Sequence, residues 1–155
     1  MKMNVILPTR FLQYPSVLKK VVSSTMTGAA KGVQADFDST TATWKSRPTF
    51  AISSPSTHVR RVQTDNLIYL FVDQGTRPHP INPRNGKALR FQGGFSAKTS
   101  IRAIGSSAGG SSGPFSIRRS VMHPGTKARE FADAIREKWE AELPRIMQAA
   151  IDSEV

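Results

Sequence analysis

Apolar residues recur every fourth position in two long stretches of the chain, one near each end. Between them the pattern breaks into short runs punctuated by proline and glycine. Val17, Val21, Thr25, Ala29, Val33 and Phe37 form the first stripe, the spacing of one face of an α-helix. Pro15-Ser16 opens it, proline being preorganised for a first helical turn, so a helix is predicted over 15–41. Gly28 and Gly32 each weaken that helix by roughly 1 kcal/mol relative to alanine. They are either tolerated there or kept small for close packing. The second stripe is Phe131, Ile135, Trp139, Leu143, Met147 and Ile151. It predicts a helix over 126–152 with Thr126 as N-cap and Glu130 and Asp133 near the positive end. Pro144 is expected to kink or break it around residue 143.

The segment 44–122 predicts a β-rich body. Trp44, Phe50, Ile52 and Val59 are spread among Thr, Ser and Pro, which predicts strands with turns at Arg47-Pro48 and Ser54-Pro55. Residues 3–7 predict a further short strand. The run Leu67–Val72, with Asp65-Asn66 as its cap, fits a buried strand and one or two helical turns equally well. Asn85-Gly86 predicts a hairpin-type bend feeding a strand at Ala88–Phe91. Segments 95–104 and 114–122 predict a long hairpin around a flexible Gly/Ser loop, 105–113. Such a loop is either an inert surface feature or one that orders on a partner. The whole reads as one α+β domain over 1–155: a small, mainly antiparallel sheet with a long hairpin, packed by an N-terminal and a C-terminal helix.

Composition narrows the chemistry. An apolar fraction of 38% predicts a modest core. No cysteine is present, so disulfides and thiolate metal sites are excluded. The apolar start, Met1 to Leu7, is short and interrupted by Pro8, so no signal peptide and no membrane span are expected. The formal charge of +11 is uneven: residues 126–155 hold five basic and seven acidic groups, and the first 125 hold 17 and 4. A basic body of this kind docks on acidic protein surfaces or on nucleic acid. Arg60, Arg61, Arg84, Lys87, Arg118 and Arg119 are the candidate contacts, but no helix-turn-helix, zinc-finger or RNP pattern accompanies them.

Catalysis is not indicated. Four aspartates are the only acids of the basic body, and no serine is singled out by a neighbouring base. His79 and His123 each precede proline, and no carboxylate or cysteine stands at ligand spacing beside them. Each imidazole is expected to bond a backbone group within its own turn. Neither a metal nor a cofactor is expected.

Two segments repeat a vocabulary: Gly75-Thr76-Arg77-Pro78-His79-Pro80-Ile81, and His123-Pro124-Gly125-Thr126-Lys127-Ala128. Each closes an apolar run, and proline makes each a rigid corner. Together with Ile81-Asn82-Pro83, Gly86–Phe91 and the entry Val121–Phe131, they resemble the neck, tail-completion and minor-tail proteins of long-tailed bacteriophages, the group that includes lambda's minor tail protein Z-like proteins. The resemblance covers Leu67 to Phe131, with glutamate at 130 where that family often has proline. It implies a non-enzymatic virion protein that forms a six- or twelve-fold ring joining the tail to the DNA-filled head, assembled in the bacterial host cytoplasm. The implied partners are further copies of the chain, the neighbouring connector, stopper, terminator or tube proteins, and genomic DNA in the channel. The alternative that charge offers is a basic nucleic-acid-binding protein without catalytic activity.

Overall fold

The computed structural model describes residues 5–8 and 14–154. Helix α1 spans Pro15–Thr40, followed by strands β1 (Ala51–Ser56) and β2 (Val59–Gln63) and the short helix α2 (Leu67–Gln74). Six short strands follow: β3 (His79–Ile81), β4 (Leu89–Gln92), β5 (Phe95–Ser96), β6 (Gly110–Ser111), β7 (Phe115–Arg118) and β8 (Val121–His123). Helix α3 closes the order at Phe131–Asp152. The α+β class is as read from the sequence, with one change. The strands form four separate two-stranded antiparallel ladders instead of one sheet.

Helices α1 and α3 pack against each other in antiparallel fashion. At one end Val21 meets Met147 and Ile151, with Leu18, Val22, Met26 and Val5 around them. The predicted strand at 3–7 is absent over residues 5–7, and the rest of it lies outside the described residues. Val5 still joins the core, because Gln148 grips the backbone of Ile6 from both sides: it accepts from Ile6 N at 2.9 Å and donates to Ile6 O at 3.1 Å. Midway, the Trp139 indole lies where a side chain at residue 32 would stand. Its Nε1 donates to Asp36 at 2.7 Å, beside Lys138 at 2.9 Å. Gly32 is therefore a packing glycine, whereas Gly28 faces open space and is merely tolerated.

At the other end Phe50, Tyr69 and Phe131 are buried with Phe37, Trp44, Val62 and Val72. Phe37 stacks on Phe50 at 4.9 Å between centroids, and Tyr69 meets Phe50 edge-on at 5.3 Å. This cluster decides the ambiguous run 67–72 in favour of helix. Asn66 caps it by accepting from Tyr69 N at 2.9 Å, and the turn aims Tyr69 inward while Leu67, Ile68 and Phe71 stay exposed. Burial pushes the Tyr69 phenol above its usual range, helped by the nearby Asp73 charge.

Three local expectations are corrected. The turn between β1 and β2 falls at Thr57-His58, and Pro55 sits instead where the ladder register shifts between Ser53 and Ser56. Proline has no N–H to give a regular ladder, so a bulge accommodates it. Of the kink or break expected at Pro144, the break does not occur: helix α3 runs through it, held by Ile135 before the proline and by Met147 and Ile151 after it, all buried. It also begins five residues later than Thr126.

Candidate functional site: the base of a basic ribbon

The start of α3 is set by a residue far away in sequence. Glu130, its N-cap, lies in the left-handed region at φ 54° and gives no side-chain cap. That conformation is closed to proline, whose ring fixes φ near −65°. The missing cap comes from the end of α2: Asp73 Oδ1 accepts from Phe131 N at 2.6 Å and from Ala132 N at 3.2 Å. The Asp73 carbonyl meanwhile accepts from Arg129 N and Glu130 N, each at 3.0 Å. A carboxylate at a helix N-terminus satisfies orphan donors and complements the dipole.

Immediately beyond Asp73 the two corner motifs come together. Thr76 and Thr126 exchange backbone hydrogen bonds of 2.9 and 3.1 Å, and Thr76 Oγ1 also accepts from Thr126 N at 2.9 Å. His79 then pairs with His123, Pro80 with Met122 and Ile81 with Val121. Gly75 and Gly125 both have positive φ, 79° and 88°. A Cβ at Gly75 would stand 2.7 Å from Thr126 O, and one at Gly125 would collide with Thr76 O. Only glycine admits this approach of the two backbones.

The imidazoles lie 5.1 Å apart between centroids, tilted by 31° to each other. Each bonds its own turn, as expected. His79 Nδ1 lies 2.8 Å from Arg77 O, and His123 Nδ1 is 3.0 Å from Gly125 N. A carbonyl partner calls for a donor at His79 Nδ1 and an N–H partner for an acceptor at His123 Nδ1, so the two Nδ1 atoms play opposite hydrogen-bond roles. Among the described residues no three His, Cys, Asp or Glu side chains gather as a metal site.

From this base the two segments continue as one ribbon. Leu89 pairs with Arg118 and Gln92 with Phe115, then Phe95 with Ser111 and Ser96 with Gly110. The pairs are nested, so segments 75–96 and 110–127 form a single long antiparallel arm. The predicted hairpin of 95–104 with 114–122 is thereby re-registered: 114–118 pairs with 89–93. Asn85-Gly86 does not reverse the chain either. Residues 82–88 bulge from the outgoing strand opposite Arg119-Ser120.

The Gly/Ser segment, expected to be a flexible loop, is held. Gly110-Ser111 is strand β6, and the tip folds back onto the end of α1. Gly105 N donates to Thr40 Oγ1 at 3.2 Å, Ser106 Oγ to Ser39 O at 3.1 Å, and Lys98 Nζ to Thr43 O at 2.6 Å. Arg102 bridges Glu130 at 2.9 Å and Glu137 at 2.6 Å. Between the arm and α2 lies an open cleft of about 450 Å³, lined by Trp44, Val72 and Phe95 with Lys98, His123 and Arg129 at its walls.

The structure thus brings Gly75, Thr76, Arg77, Pro78 and His79 against His123, Pro124, Gly125, Thr126 and Lys127. Arg84, Lys87, Arg118 and Arg119 all lie exposed along the same ribbon. Arg60 does not join them. Its guanidinium donates to Ser23 and Thr27 on α1 and to the carbonyls of Ser56, Thr57 and Val59, which makes it a strut between α1 and the β1–β2 turn. Arg61 is exposed on the same ladder, opposite Ser53, and is no part of the ribbon. Asp73 and Arg102 were missed as site residues. Asp73 sat in plain view at the end of the apolar run, but its partner is 58 residues distant.

No protein-family model matches the chain, and neither a curated protein nor a solved structure matches it.

Proposed function

We propose that this chain is a structural subunit of the head–tail connection of a long-tailed phage, a neck or tail-completion component that repeats around a ring. The reading rests on the motif resemblance, and one observation supports it above others. The two corner segments of the resemblance, 75–81 and 121–127, meet each other and close the base of the ribbon, which gives them a structural task. What they position is an arm with an unpaired edge on each side and large apolar residues in the open, among them Phe95 (72% exposed), Phe115 (61%) and Met122 (68%). Two-stranded ribbons are marginal alone and gain from a covering surface. Repetition of one subunit through head-to-tail contacts supplies such a cover, and closes into a ring where the rotation permits.

The test is quantitative mass spectrometry of purified virions, counting this chain against the portal protein. A fixed ratio near a ring number, about six or twelve per particle given cyclic symmetry, is the expected result. Absence from full particles would refute the assignment.

A further inference from the structure

The ribbon's charge is one-signed. Residues 75–127 contain nine lysines and arginines and no aspartate or glutamate. Two of the nine are committed within the fold, Lys98 to Thr43 O and Arg102 to Glu130 and Glu137. The other seven, Arg77, Arg84, Lys87, Arg90, Arg118, Arg119 and Lys127, are exposed. None of them takes part in an ion pair among the described residues.

A second copy of the chain is poorly equipped to neutralise them. Asp36 holds Lys138 and Trp139, and Asp73 caps α3. Asp133 and Glu140 hold Arg136, Glu130 and Glu137 hold Arg102, and Asp152 accepts from Gln148. Seven of the chain's 11 acids are therefore engaged, which leaves four against seven cations on the ribbon alone. A partner that matched the ribbon's charge would therefore be a different molecule, one that carries negative charge densely.

We infer that the ribbon 75–127 is a binding arm for the phosphate backbone of duplex nucleic acid, with duplex DNA as its ligand. Three features of the arm fit that ligand. A two-stranded antiparallel ribbon has the cross-section that the major groove admits. Directly paired residues share a face, so Arg118, opposite Leu89, lies on one face and Arg90, opposite Ile117, on the other. With cations on both faces, long arginine and lysine side chains can reach past either strand edge toward the phosphate rows that border the groove. At ~3.3 Å per residue the cations from Arg118 to Lys127 extend over roughly 30 Å, close to one turn of duplex at about 34 Å. The guanidinium of Arg90 sits 4.4 Å from the centre of the Phe115 ring, which holds it in place along the ribbon. With no base-reading pattern on the arm, the binding is through phosphate and indifferent to sequence.

This deepens the head–tail reading, on which it rests only for where DNA would be met, and its test is independent of virions. Fluorescence anisotropy of the full chain is measured with a 30-base-pair duplex of arbitrary sequence from 50 to 200 mM salt. Engagement of five or six of the cations gives a slope of log K against log salt of about −5, from roughly −0.9 per phosphate neutralised. The double substitution Arg118→Gln, Arg119→Gln is expected to make the slope shallower by about 2, with an unchanged melting curve showing that the fold persists. Lys19→Gln, Lys20→Gln removes the same charge from exposed positions on α1 and is expected to leave the slope unchanged. Three results would each overturn the inference: absent or salt-insensitive binding; equal losses from the α1 and ribbon pairs, which would mean diffuse attraction; or loss of self-association in the Arg118, Arg119 variant without any DNA binding, which would assign the ribbon to a protein partner and leave the ring reading standing.

Discussion

Replacing Asp73 tests the junction on which the ribbon and α3 both depend. Asp73→Ala removes the carboxylate that accepts from Phe131 N at 2.6 Å and Ala132 N at 3.2 Å. No local residue takes over, because Glu130 supplies no side-chain cap. Loss of an N-cap costs typically ~1 kcal/mol and up to about 2. The vanished charge–dipole attraction adds about 0.3–1 kcal/mol, more where the site is half-buried. A total of about 1.3–3 kcal/mol lowers the melting temperature of a domain this size by roughly 3–12 °C. Asp73→Asn keeps an acceptor and loses the charge, so it should cost only about 1 kcal/mol. Thermal melts followed by far-UV circular dichroism give the ranking. Tryptophan emission reports on the local effect, since Trp44 packs edge-on against Phe131 at 6.3 Å. An Asp73→Ala protein melting within a degree of the wild type, or an Asn variant as damaged as the Ala variant, would refute the cap.

The other predictions concern single positions. Gly125→Ala, at φ 88° and facing Thr76 O, should destabilise by about 2 kcal/mol or more, seen as a lower urea midpoint. Gly28→Ala should stabilise by roughly 1 kcal/mol, whereas Gly32→Ala should destabilise because its methyl displaces Trp139; equal effects on the two melting temperatures would contradict the packing role. Tyr69→Phe removes a buried hydroxyl that has no partner and should be neutral or stabilising in urea titration. The raised Tyr69 value gives the sign of the alkaline response. The folded state holds the phenol neutral, so its contribution is complete below about pH 10, the unfolded value, and falls as pH rises above that. The wild type should therefore lose stability relative to Tyr69→Phe only above about pH 10.

Both long helices were legible because their stripes persist over four or more turns and belong to one face. The paired corners were legible as rigid turns, and their order held more than that. Thr76-x-Pro78-His79 and His123-Pro124-x-Thr126 read in opposite directions, and an antiparallel ladder sets like against like. The Asn85-Gly86 bend misled because a turn signal is local, whereas reversal depends on what lies opposite. Here only Arg119 and Ser120 face residues 82–88, and the excess is absorbed as a bulge. The cap of α3 was hidden for a related reason: Thr126 had the right side chain in the right place, but its backbone was already paired with Thr76. The break at Pro144 was read by propensity alone, which packing on both sides of it overrides. The lopsided charge was visible from composition. Which cations stay unpaired depends on partners such as Thr43, Glu137 and Ser23, which only the fold brings near.

The nesting of the ribbon also dictates an order of events. Joining Thr76 to Thr126 directly in an unfolded chain closes a loop of 50 residues, at an entropic cost of about 3.5 kcal/mol by the logarithmic rule. Beginning at Ser96 and Gly110 closes a much shorter loop, and every later pair then adds only a small increment. The arm is expected to zip from its tip inward, leaving the corner motifs to lock last. Substitutions at Gly75, Gly125 or the paired histidines should then accelerate unfolding with little effect on the folding rate, and chevron kinetics of Gly125→Ala would reveal the opposite if the base forms first. The corners would act as the latch of a finished arm, and a chain with an incomplete ribbon would be unable to close them.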